Sequence, residues 1–331
     1  MHNHTALEHY LSPLKPYLEQ DGVTEICINE PQSVWVEAYG SFKKFKEPSL
    51  NLKHLEGLAQ LVAALNQQFI TKQTPVLSGV IPSGERIEIV MNPACETGKI
   101  IMSIRRQQVR DLTLKDYMQL GAFTPLNTNI KDLADPASNL KTLLINGEYW
   151  NFLEAAIKAK KNILISGGTG CGKTTFLNAC LKAIDLNERI ISIEDTREVT
   201  VPQANKVHLL APKKGQGISE ITVEGLFESC LRLRPDRIML SEIRGAEVFA
   251  FLEAINSGHP GSLSTIHADS PNAAFEQLYR KMRRYGDKSP RAEAFEYMKS
   301  IIHVVVQLKR CPTPDRHMYV SEIYFNEDNN E

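Results

Sequence analysis

Apolar residues recur along this 331-residue chain in two rhythms, one set by helices and one by strands. Leu7, Leu11, Leu14 and Leu18 repeat at helical intervals, and Pro13 and Pro16 interrupt or bend the helix they predict. Val23–Asn29 alternates as a strand, and Val34–Tyr39 with Phe42–Phe45 predicts a hairpin turning at Gly40-Ser41. Leu52, Leu55, Leu58, Val62, Leu65 and Phe69 then fall on one helical face. A second hairpin, Val76–Ile81 with Arg86–Met91 around Pro82-Ser83-Gly84, and a strand at Lys99–Arg105 complete a small sheet with a helix against it. Residues 1–106 therefore read as an N-terminal α+β domain.

From residue 107 to residue 147 the rhythm is lost. A short helix at Leu114–Leu120 is followed by the polar, breaker-rich run TPLNTNIKDLADPASN. So long a connection is improbable inside a compact domain, and it predicts an inter-domain linker able to reach a neighbouring subunit. Residues 148–331 alternate helix and strand. The predicted order is helix Tyr149–Lys160, strand Asn162–Ser166, a helix from near Thr174 to Ile184, strand Arg189–Ile193, helix Val223–Arg232, strand Arg237–Leu240, helix Ala246–Ser257 and strand Gly261–His267. That pattern is a doubly wound α/β domain. Ile301–Leu308 and Met318–Phe325 read as an antiparallel pair around Cys311-Pro312-Thr313-Pro314, before a loose acidic tail, NEDNNE.

Composition narrows the class. The length suits two domains, and 42% hydrophobic with 23% charged residues describes an ordinary globular protein. A net charge of -1 offers no general basic field, so direct nucleic-acid binding finds no support beyond the local patch Lys281-Met282-Arg283-Arg284. No apolar run approaches a membrane span, and the first residues lack a signal peptide's pattern, so a cytoplasmic protein is expected. Six cysteines without a CxxC pair suggest free thiols, and His2, His4 and His9 suggest an exposed start rather than a metal site.

The chemistry centres on GGTGCGKTT, Gly167–Thr175, preceded by the apolar run Ile163-Leu164-Ile165 and followed by a helix. This is the context and spacing of a phosphate-binding loop, in which backbone N–H groups and a helix N-terminus cradle a polyphosphate. Gly168, Thr169, Gly170, Cys171, Gly172, Lys173, Thr174 and Thr175 are the candidate ATP-binding residues, with Lys173 on the β- and γ-phosphates and Thr174 on Mg²⁺. Three further candidates end predicted strands, where open α/β sheets bind ligands. They are the acidic run Glu194-Asp195-Thr196-Arg197-Glu198, with Glu194 as a catalytic and Asp195 as a metal-side carboxylate, then Glu242 after Ile238–Leu240, and His267 after Gly261–Ile266. Carboxylates there suit Mg²⁺ waters or an attacking water, whereas a lone strand histidine is more often structural than functional.

Taken together, the loop, the Arg189–Glu198 stretch, LRLRPDRIMLSEIRG (Leu231–Gly245) and NSGHPGSLSTIHA (Asn256–Ala268) resemble the secretion ATPase superfamily. RPDR, EDTRE and Lys214-Gly215-Gln216-Gly217 make the chain most similar to the traffic ATPases of type IV secretion systems, and SGERIEIVMNP (Ser83–Pro93) and SIRR (Ser103–Arg106) extend the likeness into the N-terminal half. The resemblance implies a homohexamer whose N-terminal domain closes on a RecA-like C-terminal ATPase domain, with ATP and Mg²⁺ at their junction. On matching positions it implies an aspartate box at Glu194 and Asp195, a catalytic acid at Glu242 and a γ-phosphate sensor at His267. Arg86 and Arg105 would approach the nucleotide, and Arg234 or Arg237 would act as an arginine finger toward a neighbour. The implied setting is the cytoplasmic face of an inner membrane, with a coupling protein, a second ATPase, an inner-membrane channel and a protein or nucleoprotein cargo as partners. A pilus or type II motor and a nucleotide-gated assembly switch are the alternatives. Two positions depart from the usual pattern: Ser241 stands where Gly or Ala is common, and Cys171, where Ser or Thr is frequent, is expected simply to fit.

Overall fold

The chain's N-terminal half folds because one helix covers the apolar face of an antiparallel sheet. In the computed structural model, which describes residues 2–106, 139–211, 221–310 and 318–326, helices α1 (His2–Leu11), α2 (Lys15–Leu18) and α3 (Leu52–Leu65) accompany six strands. These are β1 (Val23–Ile28), β2 (Ser33–Ala38), β3 (Ser41–Lys46), β4 (Val76–Val80), β5 (Arg86–Met91) and β6 (Ile100–Arg105), in the order β3-β2-β1-β6-β5-β4. Leu55, Leu58 and Val62 of α3 pack with Leu7, Leu11, Leu14, Ile26, Ile87 and Met102 in one core. Asn51 starts α3 by accepting the His54 N–H, a cap that contributes about 0.5–2 kcal/mol. The predicted continuation to Phe69 does not form: Gln67 turns at φ 55 and Phe69 is 85% exposed.

The second half holds α4 (Leu140–Ile145), α5 (Tyr149–Lys158), β7 (Ile163–Gly167), α6 (Lys173–Leu181), β8 (Ile190–Glu194), β9 (Lys206–Leu210), α7 (Val223–Arg232) and β10 (Arg237–Leu240). It continues with α8 (Glu247–Asn256), β11 (Leu263–Ile266), α9 (Pro271–Arg284), α10 (Arg291–Ile301), β12 (Val304–Arg310) and β13 (Met318–Phe325). The sheet order is β13-β12-β7-β11-β10-β8-β9, parallel except for the β12–β13 pair. Alternate residues separate its two faces. Ile163, Ile165, Ile190 and Met239 face α4, α5 and α6, whereas Leu164, Ile191, Ile193 and Ile238 face α7, α8, α9 and α10. Helices on both faces make it the expected doubly wound α/β domain.

Four elements escape the sequence reading: α4, β9, α9 and α10. The linker is also shorter at its end than expected, since Leu140 of α4 is fully buried in the core with Phe152 and Ile157. Leu140–Ile145, inside the expected linker, thus form a helix that packs against α5. The predicted helix at Leu114–Leu120, the Lys214–Gly217 segment, the turn at Cys311–Pro314 and the tail beyond residue 326 lie outside the described residues.

The two sheets also share a core. Val90, Ala94, Cys95 and Ile101 of the first domain pack with Val207, Leu209, Leu226 and Phe227 of the second. Leu210 donates its N–H to the Ala94 carbonyl at 2.8 Å, beside a backbone bridge from Cys95 to Leu209. Farther along this contact, fully buried Arg189 donates to Asn29 Oδ1 at 2.8 Å, to Asn205 Oδ1 and to the Leu233 carbonyl at 2.9 Å. Arg189 and Arg234 both lie about 6 Å from the Phe42 ring, cation–π contacts that add to the apolar contact.

Candidate active site

Strand β7, buried at all five positions, delivers the glycine-rich loop to the C-terminal edge of the sheet. Gly167 is required there sterically: a Cβ would stand 2.4 Å from Cys171 Sγ and 2.8 Å from the Leu308 carbonyl oxygen. Cys171 is 3% exposed and fills this space, which agrees with its expected role as a side chain that fits. Gly170 (φ 73) and Gly172 (φ 80) take left-handed conformations that open α6. A Cβ built on Gly168 or Gly170 meets nothing within 4 Å, so the loop presents bare backbone on its outer side. A bare backbone leading into a helix N-terminus suits a polyphosphate.

Five side chains then join across the strand ends. Lys173 Nζ donates to the carbonyls of Gly167 (2.9 Å) and Gly168 (3.1 Å) and to His267 Nδ1 (3.2 Å). An ammonium only donates, so Nδ1 accepts and the ring proton stands on Nε2, 3.1 Å from Glu242 Oε1. Glu242 Oε2 accepts from Arg244 Nη2 at 3.0 Å, and Arg244 Nη1 bonds Asp195 Oδ2. The line Lys173–His267–Glu242–Arg244–Asp195 thus ties the loop, β11, β10 and β8 together.

Electrostatics sets the charge states along this line. Burial lowers the Lys173 and His267 pKa values, and the charges of Lys173 and Arg244 lower His267 further against the pull of Glu242. For Glu242 burial pushes upward, but the Arg244 hydrogen bond and charge, with His267 and Lys173, outweigh it and hold the carboxyl below its ordinary value. Glu242 is therefore ionised at neutral pH and suited to accept a hydrogen bond from water.

Glu194 behaves otherwise than the sequence suggested. Its carboxylate is 0% exposed and turned inward. Oε2 accepts the N–H groups of Glu198 and Val199, both at 2.7 Å, and Oε1 accepts from Ser192 Oγ at 2.7 Å. Burial opposes ionisation, but the His208 imidazole, Ser192 and these two amides outweigh it and keep the Glu194 pKa below its ordinary value. Glu194 shapes the following loop instead of facing a ligand. The carboxylate that meets the phosphate loop is Glu198, whose Oε2 accepts from Thr174 Oγ1 at 3.3 Å. Thr174 and Glu198 supply hard oxygens beside the open loop, the donor chemistry that suits Mg²⁺ carried by a nucleotide.

The four arginines proposed for the nucleotide are not brought to this site within one chain. Arg237 is 1% exposed, with Nε and Nη2 each 2.8 Å from a Glu188 oxygen and Nη1 on the Ile157 and Gly261 carbonyls. It is a core strut, which corrects its reading as an arginine finger. Arg234 is held by Glu37 (2.5 Å) and Asp236 (2.9 Å), joining the two domains. Arg105 bonds Glu25 at 2.9 Å. With Arg86, Arg232, Ser78 and Glu88 it lines a separate groove of about 340 Å³. Glu88 there is buried, which pushes its pKa up to about 7 against the opposing pull of Ser78, Ser229 and Arg232. The groove's lining includes Arg232 at the end of α7 and no residue of the phosphate loop.

Glu198 and Arg244 were missed individually by sequence reasoning. For Arg244 a signal existed, because it follows Glu242 by two positions at the end of a strand, where alternate residues share a side.

The family described as type II/IV secretion system protein matches residues 8–327. The chain is 39% identical to the type IV secretion system protein VirB11 of Bartonella quintana, over 96% of this chain and 92% of that protein. It is 33% identical to the type IV secretion system protein PtlH of Bordetella pertussis, over 97% and 96%. The crystal structure of the VirB11 ATPase from the Brucella suis type IV secretion system, in complex with sulphate, superposes with a TM-score of 0.90 at 34% identity, covering 97% of both chains.

Proposed function

The chain belongs to the type II/IV secretion system protein family, as a type IV secretion ATPase, and from that premise we propose how its residues carry the activity. It works as a homohexamer at the cytoplasmic face of an inner membrane, and ATP hydrolysis powers assembly of, or passage of a protein or nucleoprotein through, a type IV secretion machine. Its partners there are a coupling protein, a second ATPase and an inner-membrane channel. No helix among the described residues is long and apolar enough to cross a membrane, and peripheral attachment accords with that.

The observation that carries the mechanism is the connected line from Lys173 to Asp195 beside the open loop. Gly168–Thr175 bind the triphosphate through backbone N–H groups and the α6 terminus. Lys173, now spread over two carbonyls and His267, has its ammonium within the loop to meet phosphate oxygens. Thr174 and Asp195 would hold Mg²⁺, whose charge would neutralise that building up on the phosphates. Glu242, ionised and fixed between Arg244 and His267, orients the attacking water. His267 joins Glu242 to Lys173 and so registers the far phosphate at both.

Arg86 and Arg105 act on a nucleotide bound by a neighbouring copy, since their own chain turns them to a different groove. Arg234 remains a candidate contact across the ring only if it leaves Glu37 and Asp236.

The test compares Lys173→Ala with Glu242→Gln in the full-length protein, by steady-state hydrolysis and fluorescent-nucleotide binding. Glu242→Gln is expected to keep binding and lose about 10²–10⁴-fold in kcat, while Lys173→Ala loses hydrolysis and binds nucleotide more weakly. Hydrolysis at the wild-type rate by Lys173→Ala would overturn the assignment.

A further inference from the structure

The acidic loop between Glu194 and Val199 is held at both ends. At its far end Glu198 touches the Thr174 hydroxyl, and Asn178 Nδ2 donates to the Glu198 carbonyl at 3.2 Å. At its base Glu194 gathers the Glu198 and Val199 N–H groups. Behind that carboxylate stands His208 of β9, 3% exposed, with Nδ1 2.6 Å from Ser192 Oγ and 3.3 Å from Glu194 Oε1. Its Nε2 lies 2.7 Å from Arg197 Nη2. A guanidinium has no acceptor, so Nε2 accepts and the ring is neutral with its proton on Nδ1. Burial, the main cause of its lowered pKa, favours the same neutral form.

Arg197 therefore has one side fixed in the second domain, on His208 and on the Val199 carbonyl. Its Nε faces the first domain, 3.4 Å from Glu96 Oε1. Glu96 is in turn held by Lys99 at 2.7 Å and follows the residues Ala94 and Cys95 that form the backbone contact with β9. A continuous chain of polar contacts thus runs from the N-terminal domain to the hydroxyl of the phosphate loop.

We propose that Glu96, Arg197 and His208 are positioning residues for ATP hydrolysis, which set the acidic loop so that Glu198 meets Thr174 only when the N-terminal domain is seated. The proposal rests on the reading of the phosphate loop as the hydrolytic site. None of the three touches substrate; they act through the loop. The Arg197–Glu96 pair is about one-third exposed on each side, and pairs of that kind add little to stability. A small change in loop position costs a large factor in rate, so loss of the pair is expected in kcat and not in melting temperature.

The experiment uses the full-length protein with Mg²⁺ and ATP, and compares Glu96→Gln, Arg197→Lys, Lys173→Ala and the charge exchange Glu96→Arg/Arg197→Glu. Hydrolysis, Tm and amide hydrogen exchange of the peptide covering residues 194–200 are measured together. Expected for Glu96→Gln are a fall of about tenfold or more in kcat, an unchanged KM for ATP and Tm, and faster exchange at the Glu198 and Val199 amides. Arg197→Lys, which cannot hold His208 and Glu96 at once, shows the same loss, and the charge exchange does not recover it, because a carboxylate at position 197 cannot donate to His208 Nε2 or to the Val199 carbonyl. Wild-type kcat in Glu96→Gln, or exchange unchanged at residues 198 and 199, would overturn the proposal. So would a kcat loss accompanied by a proportional loss of folded protein. If Lys173→Ala hydrolyses normally, the underlying site reading fails; if it is inactive while Glu96→Gln is normal, only the coupling fails.

Discussion

Two arginines three positions apart at the start of β10, Arg234 and Arg237, look interchangeable in sequence and are physically unlike. Arg237 lies under the sheet, bidentate on Glu188, with its guanidinium against Gly261, where an added Cβ would come within 2.4 Å of Nη1. Removing one member of a buried, hydrogen-bonded ion pair leaves the other unpaired and costs about 3–5 kcal/mol. Arg237→Ala is therefore expected to lower global stability by about that amount in urea or thermal unfolding. A residue acting only on a neighbour's nucleotide would leave unfolding unchanged while hydrolysis collapsed, and that result would restore the finger assignment.

At the scale of elements, the start of β12 carries a pH-sensitive joint. His303 Nδ1 accepts the Asn162 N–H at 2.9 Å, and the His303 and Val304 N–H groups both reach the Asn162 carbonyl at 3.1 Å, locking β12 beside β7. Burial, aided by the charge of Lys161, pushes the imidazole down to about 4 from its ordinary 6.5. Between these values the unfolded chain holds more protons than the folded one, so stability rises with pH across the window and is lost as pH falls from about 6.5 to about 4. Unfolding midpoints measured across that range should flatten in His303→Asn, whose amide oxygen can accept the same N–H without titrating. An unchanged slope would place the acid sensitivity elsewhere. Elements of this kind differed in how far they could be read beforehand. Strands β7, β8 and β10 are rich in Ile, Leu and Met and announce themselves, as does a loop whose chemistry lies in consecutive backbone groups. Helix α9 was also legible, since Ser270 accepts the Ala273 N–H before Pro271, and Ala274, Phe275, Leu278 and Met282 fall on one face, yet its many charges obscured the pattern. Strand β9 is five residues long and acquires meaning only through its neighbour β8. Glu194 could not have been oriented from sequence, because its direction is decided by two amides four and five residues later that fold back over it.

For the whole molecule, the lining of the Arg86–Arg105 groove, which holds no residue of the phosphate loop, leads to a prediction about the proposed ring. If these arginines serve a neighbour, then Arg105→Ala and Lys173→Ala rings, each inactive alone, should regain hydrolysis when their subunits are mixed. An intact loop in one subunit would then meet an intact arginine in the next. Strictly additive, inactive mixtures measured by ATPase titration would place both parts of the site within one chain. The shared core of Val90, Ala94, Cys95 and Ile101 with Leu226 and Phe227 bears on how such a ring can be dissected. A fragment beginning at α4 would bare the apolar side of α7 and β9 to water and remove the Glu96 contact to Arg197. The excised ATPase half would thus be a sticky and miswired object, and a slow or aggregating fragment would say nothing about the intrinsic speed of the intact motor.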